Sequence, residues 1–181
     1  MKKSIGIHER LYPNPVVLVS CSHKQDDNII TLAWAGTVCS KPPLISISIR
    51  PSRHSHKLIK DSGEFVINIP ARGQESLCEF CGSHSGRDTD KYKDLSLAKG
   101  EPSRVKTPHI TQCPVNIECK VTKVIGLGTH DLFIGEVLDV LADARWIYPD
   151  GDLDYEKMDT LTYCMGNYFY IKTPETKLGH D

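Results

Sequence analysis

The sequence predicts a mainly β protein with short helices, built as one antiparallel barrel, and three observations carry that expectation. Residues 44–50, LISISIR, alternate Ile45, Ile47 and Ile49 with Ser46, Ser48 and Arg50, the period of two that marks a half-buried strand. VNIECKVTKVIGLG and HDLFIGEVLDVLAD are two long strand candidates parted by little more than Gly128-Thr129, which predicts a strongly twisted hairpin. Helical segments are few, short and not regularly interleaved with strands, which disfavours a parallel doubly wound sheet.

Taken in order, PVVLVSC (15–21) is short and β-branched, as a buried strand requires. The polar HKQDDN then turns the chain into a second extended segment, Asn28 to Trp34, so the pair predicts a hairpin. Lys41-Pro42-Pro43 interrupts regular structure before the Ile/Ser strand. PSRHSHKLIKDSG predicts a short helix capped by Ser52 or Ser55, with Leu58 and Ile59 inward and Gly63 as its stop. EFVINIP repeats the strand pattern through Phe65, Ile67 and Ile69, and GQESLCEFCG predicts one or two helical turns with Leu77, Phe80 and Cys81 on one side. His84 to Pro108 is polar and punctuated by Gly and Pro, with one apolar patch at Leu95 and Leu97. After the long hairpin, Tyr148-Pro149-Asp150-Gly151 is a turn, and Leu161 to Ile171 supply a last strand.

Composition sets the outer bounds. A chain of 181 residues suits a single domain, taken here as 1–181, with 39% hydrophobic and 25% charged residues. A formal net charge of −1 argues against a surface that coats nucleic acid. No apolar run approaches the roughly 18–20 residues of a membrane span, so no membrane partner is expected. MKKSIGIHERLYPNP has no apolar stretch after its lysines, so a secretory signal is not expected in it. The seven cysteines (21, 39, 78, 81, 113, 119, 164) are then expected as reduced thiols in a cytoplasm.

Three stretches carry candidate chemistry. Cys78 and Cys81 form a single C-x-x-C; structural zinc needs four ligands, and a redox dithiol would open a helix after a strand. Two small buried hydrophobes are therefore favoured over zinc or redox roles, and no metal site is expected. RPSRHSHK (50–57) places Arg50, Arg53, His54, Ser55, His56 and Lys57 between a strand and a helix start. Free amides and the positive dipole end there, with arginine's donor fork, suit a phosphate; a solvated cationic loop is the alternative. SGRDTDK (85–91) adds glycine-permitted close approach and Lys91, so the two runs together suggest arms gripping one phosphorylated ligand. His130 begins a strand after a glycine-rich bend and titrates near neutrality. Trp34 sits among Ala33, Ala35, Gly36 and Thr37, small neighbours that either pack or let a flat ring lie against backbone. No G-x-G-x-x-G or Walker loop appears.

Those stretches, in order, give the chain its resemblance: LYPNPVVLVS, N-x-x-T-x-A-W-A-G-x-x-C-S-K-P-P, SIRPSRHSH, FVINIP, CGSHSGRDTDKY and LGTHDLFIGEVLDV. The sequence resembles the flavin reductase-like, FMN-binding split-barrel family, and its flavoredoxin branch most. The resemblance implies an antiparallel, Greek-key-like split β-barrel that forms a homodimer and holds FMN. It implies that Asn28, Thr31, Trp34, Ala35, Gly36 and Thr37 lie along the flavin ring, with Cys39 and Ser40 near its polar edge. Ser48, Arg50, His54, Ser55 and His56 correspond to positions around the ribityl chain and phosphate. Ser85, Gly86 and Lys91 resemble a second phosphate arm, and His130 resembles a histidine beside the flavin, the candidate catalytic residue. The implied activity is electron transfer from NAD(P)H through FMN to a small-molecule or protein acceptor. The alternative is a non-enzymatic FMN carrier reduced by a redox protein.

Overall fold

The computed structural model describes residues 1–171, the side chains of residues 155 and 156 excepted. Residues 172–181, which the single-domain expectation includes, lie outside the described residues. The first strands are β1 (Asn14–Pro15), β2 (Val17–His23) and β3 (Asp26–Leu32). β2 and β3 form the expected hairpin, but its turn is only Lys24 and Gln25. Lys24 takes φ 60°, and Asp26 and Asp27 already belong to the strand. β4 (Ala35–Ser40) and β5 (Pro43–Ile49) follow, joined through a cis Lys41–Pro42 peptide.

Helix α1 (His54–Ser62) ends at Gly63, whose φ of 73° is the left-handed stop expected of it. Its start differs from expectation. Arg53 is the N-cap and makes no side-chain cap, because Ser55 lies inside the helix and its hydroxyl accepts from Asn28 Nδ2 at 2.8 Å. The first-turn amides are thereby left without a side-chain acceptor. β6 (Glu64–Ile69), α2 (Glu75–Ser83), α3 (Lys91–Asp94), β7 (Lys99–Gly100) and β8 (His109–Ile110) come next. The long hairpin is β9 (Val115–Gly126) and β10 (Asp131–Ala142), with register shifts at Ile134/Gly135 and Val137/Asp139. After a short 3₁₀ turn (Ala144–Trp146) and α4 (Tyr155–Met158), the expected single last strand proves to be two, β11 (Leu161–Cys164) and β12 (Asn167–Tyr170). Met165 and Gly166, with φ of 49° and 84°, supply the two positive-φ residues a tight hairpin turn needs.

Seven antiparallel strands order as β3-β2-β6-β9-β10-β5-β4. The sheet curls on itself without closing, the form of a split barrel. Its interior is filled by Val19, Ile47, Ile49, Ile59, Phe65 and Phe133. Full burial of each such side chain stabilises the fold by about 1.5–3 kcal/mol. Gly135 is required where β10 crosses this core, since a Cβ there would lie 2.7 Å from the Phe65 ring. A second core forms outside the barrel, where Leu18, Ile29, Cys78, Cys81, Tyr92 and Ile110 pack beneath α2 and α3. Both cysteines of the C-x-x-C are thus core side chains, 0% and 1% exposed. Burial pushes their thiols up to about 12 and about 11.

Candidate functional site

The two arms predicted to grip an anion meet at one cavity of about 160 Å³. One wall is the loop and first turn of α1, with Ser52, Arg53, His54 and Ser55. The opposite wall is the segment leaving α2, with Ser85, Gly86 and Arg87, and Lys91 closes the back. Asn28 reaches in from β3 and holds Ser55. Gly86 must be glycine, because a Cβ there would collide with the Asn28 amide. Arg87 Nη1 donates to the Ser52 carbonyl at 3.1 Å and so links the two arms.

Lys91 is the decisive group. It is 3% exposed, and its ammonium donates to the carbonyls of Ile29 at 2.6 Å and Cys81 at 2.7 Å. Among the described residues no carboxylate pairs with it. Burial lowers its pKa, the mark of a cation held without a counter-ion. A buried charge in that state is costly unless an anion completes it. The cavity in front of it, ringed by arginines and an uncapped helix start, is where that anion fits.

A second cavity of about 210 Å³ continues from the first, the two sharing Ile30, Arg53 and Gly82. Thr31, Ala33, Trp34, Ser48, Arg50 and His130 face it. Thr31 is fixed by donating to the Cys78 carbonyl at 2.6 Å. Trp34 and His130 lie ring against ring, centroids 4.7 Å apart and tilted by 44°. His130 Nδ1 is hydrogen-bonded with Thr129 Oγ1 at 2.9 Å. Partial burial and the neighbouring Arg50 guanidinium hold the imidazole below its ordinary range. The second lobe is therefore flat-walled and apolar in the middle, with polar groups at its edges.

Several predicted residues fall elsewhere. His56 turns away from both lobes: its Nε2 meets Asp131 Oδ2 at 2.8 Å and its ring packs edge-on against Phe133. His54 lines the anion lobe while pairing with Asp26 at 2.9 Å. Ala35 and Gly36 line an adjoining groove of about 380 Å³ on the far side of Trp34. Thr37, Cys39 and Ser40 continue along β4 and line neither lobe. Conversely, Ile30, Ala33, Ser52, Arg53, Gly82 and Arg87 line the lobes without having been singled out as cofactor contacts. Arg53, Gly82 and Arg87 stood inside the quoted motifs, and their charge or glycine character was the available signal. Ala33 stood among the small neighbours of Trp34, and Ile30 carried no signal beyond adjacency to Thr31. Among the described residues no group of three or more His, Cys, Asp or Glu is placed to hold a metal.

The split barrel thus carries an anion-suited lobe that opens into an aromatic-walled lobe. The chain belongs to the flavin reductase like domain family, which it matches over residues 9–172. It is 36% identical over 172 residues to an uncharacterised protein of Archaeoglobus fulgidus, covering 94% of this chain and 95% of that one. It is 32% identical over 109 residues to a ferric-chelate reductase (NAD(P)H) of the same organism, covering 59% of this chain and 63% of that one. Among solved structures, the flavoredoxin of Desulfovibrio vulgaris (Miyazaki F) superimposes with a TM-score of 0.91 at 33% identity, covering 98% and 97% of the two chains.

Proposed function

We propose that this protein binds FMN across the two lobes and works as an oxidoreductase, taking electrons from NAD(P)H and delivering them to a small-molecule or protein acceptor. The observation that carries the reading is the buried, uncompensated Lys91 ammonium at the end of a cavity continuous with the Trp34–His130 lobe. A dianionic phosphate satisfies Lys91, with Ser55, Ser85 and the first-turn amides of α1 as further donors. Arg50 and Ser48 stand where a polyol chain and the polar ring edge would pass, and Trp34 and Ala33 suit the apolar ring face. Bound there, FMN supplies the electron chemistry; the protein supplies orientation, electrostatics and access. With Nδ1 engaged by Thr129, His130 offers Nε2 as the atom that exchanges a proton at the ring lobe. His130→Ala that changes neither FMN affinity nor the rate of NAD(P)H oxidation would remove His130 from this role.

The likeness to flavoredoxin favours a second reading, an FMN carrier reduced by a redox protein instead of a nicotinamide. The two are separated by mixing FMN-loaded protein anaerobically with NADH or NADPH. Rapid loss of blue absorbance supports the reductase, and persistence of the band supports the carrier. A preparation that is colourless and retains no added FMN would refute both. We further propose a homodimer formed through the exposed edge strand β4, where Val38 is 52% exposed. A cytoplasmic setting agrees with seven free cysteines. Among the described residues no helix is long and apolar enough to cross a membrane.

A further inference from the structure

Beyond the two lobes, a third cavity of about 320 Å³ opens between α2 and the β11–β12 hairpin. It shares Thr31, Leu32, Ala33 and Gly82 with the ring lobe, so the two are neighbours through a common wall. Its own lining is Val16, Cys78, Tyr163 and Tyr168, with Glu79 at one side. The tyrosine rings stand edge to face, centroids 6.0 Å apart at 64°, an arrangement that leaves ring faces to meet a further ring or a cation. The Tyr168 hydroxyl donates to Glu79 Oε2 at 3.4 Å. Burial, Cys78 and Glu79 push Tyr168 up to about 12, so it stays a neutral donor across the working range.

Charge is segregated along this path. The two lobes are lined by Arg50, Arg53, Arg87 and Lys91, whereas among the described residues the only lysine, arginine or carboxylate lining the third cavity is Glu79. Among the described residues no lysine or arginine pairs with Glu79. Outward, an adjoining cavity adds a second carboxylate, Glu75, to the same side. A phosphate-bearing molecule is repelled here and drawn to the other end.

We infer that the cavity between α2 and the C-terminal hairpin is a binding site for a planar aromatic molecule that is uncharged or cationic, seated beside the ring lobe. Its place beside the flavin rests on the functional reading above; its ligand class rests on Tyr163, Tyr168 and Glu79 alone. The site selects against carboxylates and phosphates, so the molecule it takes differs in charge from the cofactor and from a pyridine dinucleotide's phosphates. Tyr168 and Tyr163 supply the contact area, and Glu79 sets the sign of the charge admitted.

The experiment is equilibrium dialysis of FMN-loaded protein against three probes of one shape: 4-nitrobenzyl alcohol, 4-nitrobenzylammonium and 4-nitrobenzoate. The first two should bind about two- to fivefold more tightly than the carboxylate, the worth of one charge interaction at an exposed residue. Glu79→Gln, a change at an exposed residue, should bring the ammonium down to the level of the alcohol. Tyr168→Leu should weaken both while FMN retention stays within about twofold. Preferential binding of 4-nitrobenzoate, or an unchanged ammonium preference in Glu79→Gln, would overturn the inference. Retention of FMN in the same dialysis is scored separately. Loss of FMN with the probe order intact refutes the flavin reading and leaves the ligand class standing.

Discussion

Lys91 concentrates the chemistry of the molecule in one side chain. Two of its three donors are spent on the Ile29 and Cys81 carbonyls, so its position is fixed before any ligand arrives. Lys91→Met keeps the stem and removes the charge, and FMN affinity should fall by about 10- to 100-fold, the worth of a charge-assisted hydrogen bond. Cys78→Ala, in the core beneath α2, should leave FMN affinity unchanged while costing some stability as a core truncation. Fluorescence titration of FMN checks both. The lowered pKa of Lys91 also gives a signed pH dependence. Between its folded pKa and the unfolded value near 10.5, the unfolded chain binds more protons at this position, so its contribution to stability rises with pH. Phosphate binding runs the other way, because it needs the ammonium. Wild-type FMN affinity should therefore weaken as pH rises through that window, and the part of the slope due to Lys91 should vanish in Lys91→Met.

At the scale of elements, the irregular stretch 101–108 between β7 and β8 is held by carboxylates that accept from its amides. Glu118, fully buried, accepts from the amides of Ser103 at 2.7 Å and Arg104 at 2.6 Å. Glu64 does the same for Lys106 at 2.7 Å and Thr107 at 2.8 Å. Glu118→Gln replaces one acceptor oxygen with a donor and should cost about 1–3 kcal/mol. Urea unfolding would measure that loss, and hydrogen exchange should quicken first at residues 103–105. This dependence explains which elements were legible in the sequence. Ile45, Ile47 and Ile49 announce β5 because one face of it alone is buried, and Gly63 announces the end of α1 because only its left-handed φ is needed there. The one-turn α3 and the two-residue β7 and β8 announce nothing, being positioned by distant groups such as Gln112, whose Oε1 accepts from Ala98 N at 3.2 Å. The same holds within the site. Lys91 was visible as a cation, but its burial depends on two other elements, and His56 was drawn off by Asp131, 75 positions along the chain.

The whole molecule leaves one long edge of its sheet open. β4 is last in the order, three of its six residues in a row are exposed, and Val38 is among them. An open strand edge with apolar side chains is ordinarily covered. The groove beyond Trp34, which runs from Glu9 and Leu11 to Gly36 and Ser46, lies beside that edge. Sedimentation or light scattering should give roughly twice the 20.2 kDa of one chain, and Val38→Glu should reduce it to one. A wild-type mass of a single chain would remove the dimer from the proposal.

The bridge from Arg87 to the Ser52 carbonyl separates two properties of the anion lobe. Lys91, beneath it, is buried and already fixed, so it governs how firmly a phosphate is held. Arg87 is exposed at the rim, where one hydrogen bond contributes only about 0.5–1.5 kcal/mol, so it is the more easily parted contact of the two. An anion seated there would be held mainly by the buried lysine, while the exposed rim contact would bear on how readily it enters and leaves alike. Under the proposed function, changes at the rim would alter the rate of flavin exchange more than its equilibrium, with the interior untouched.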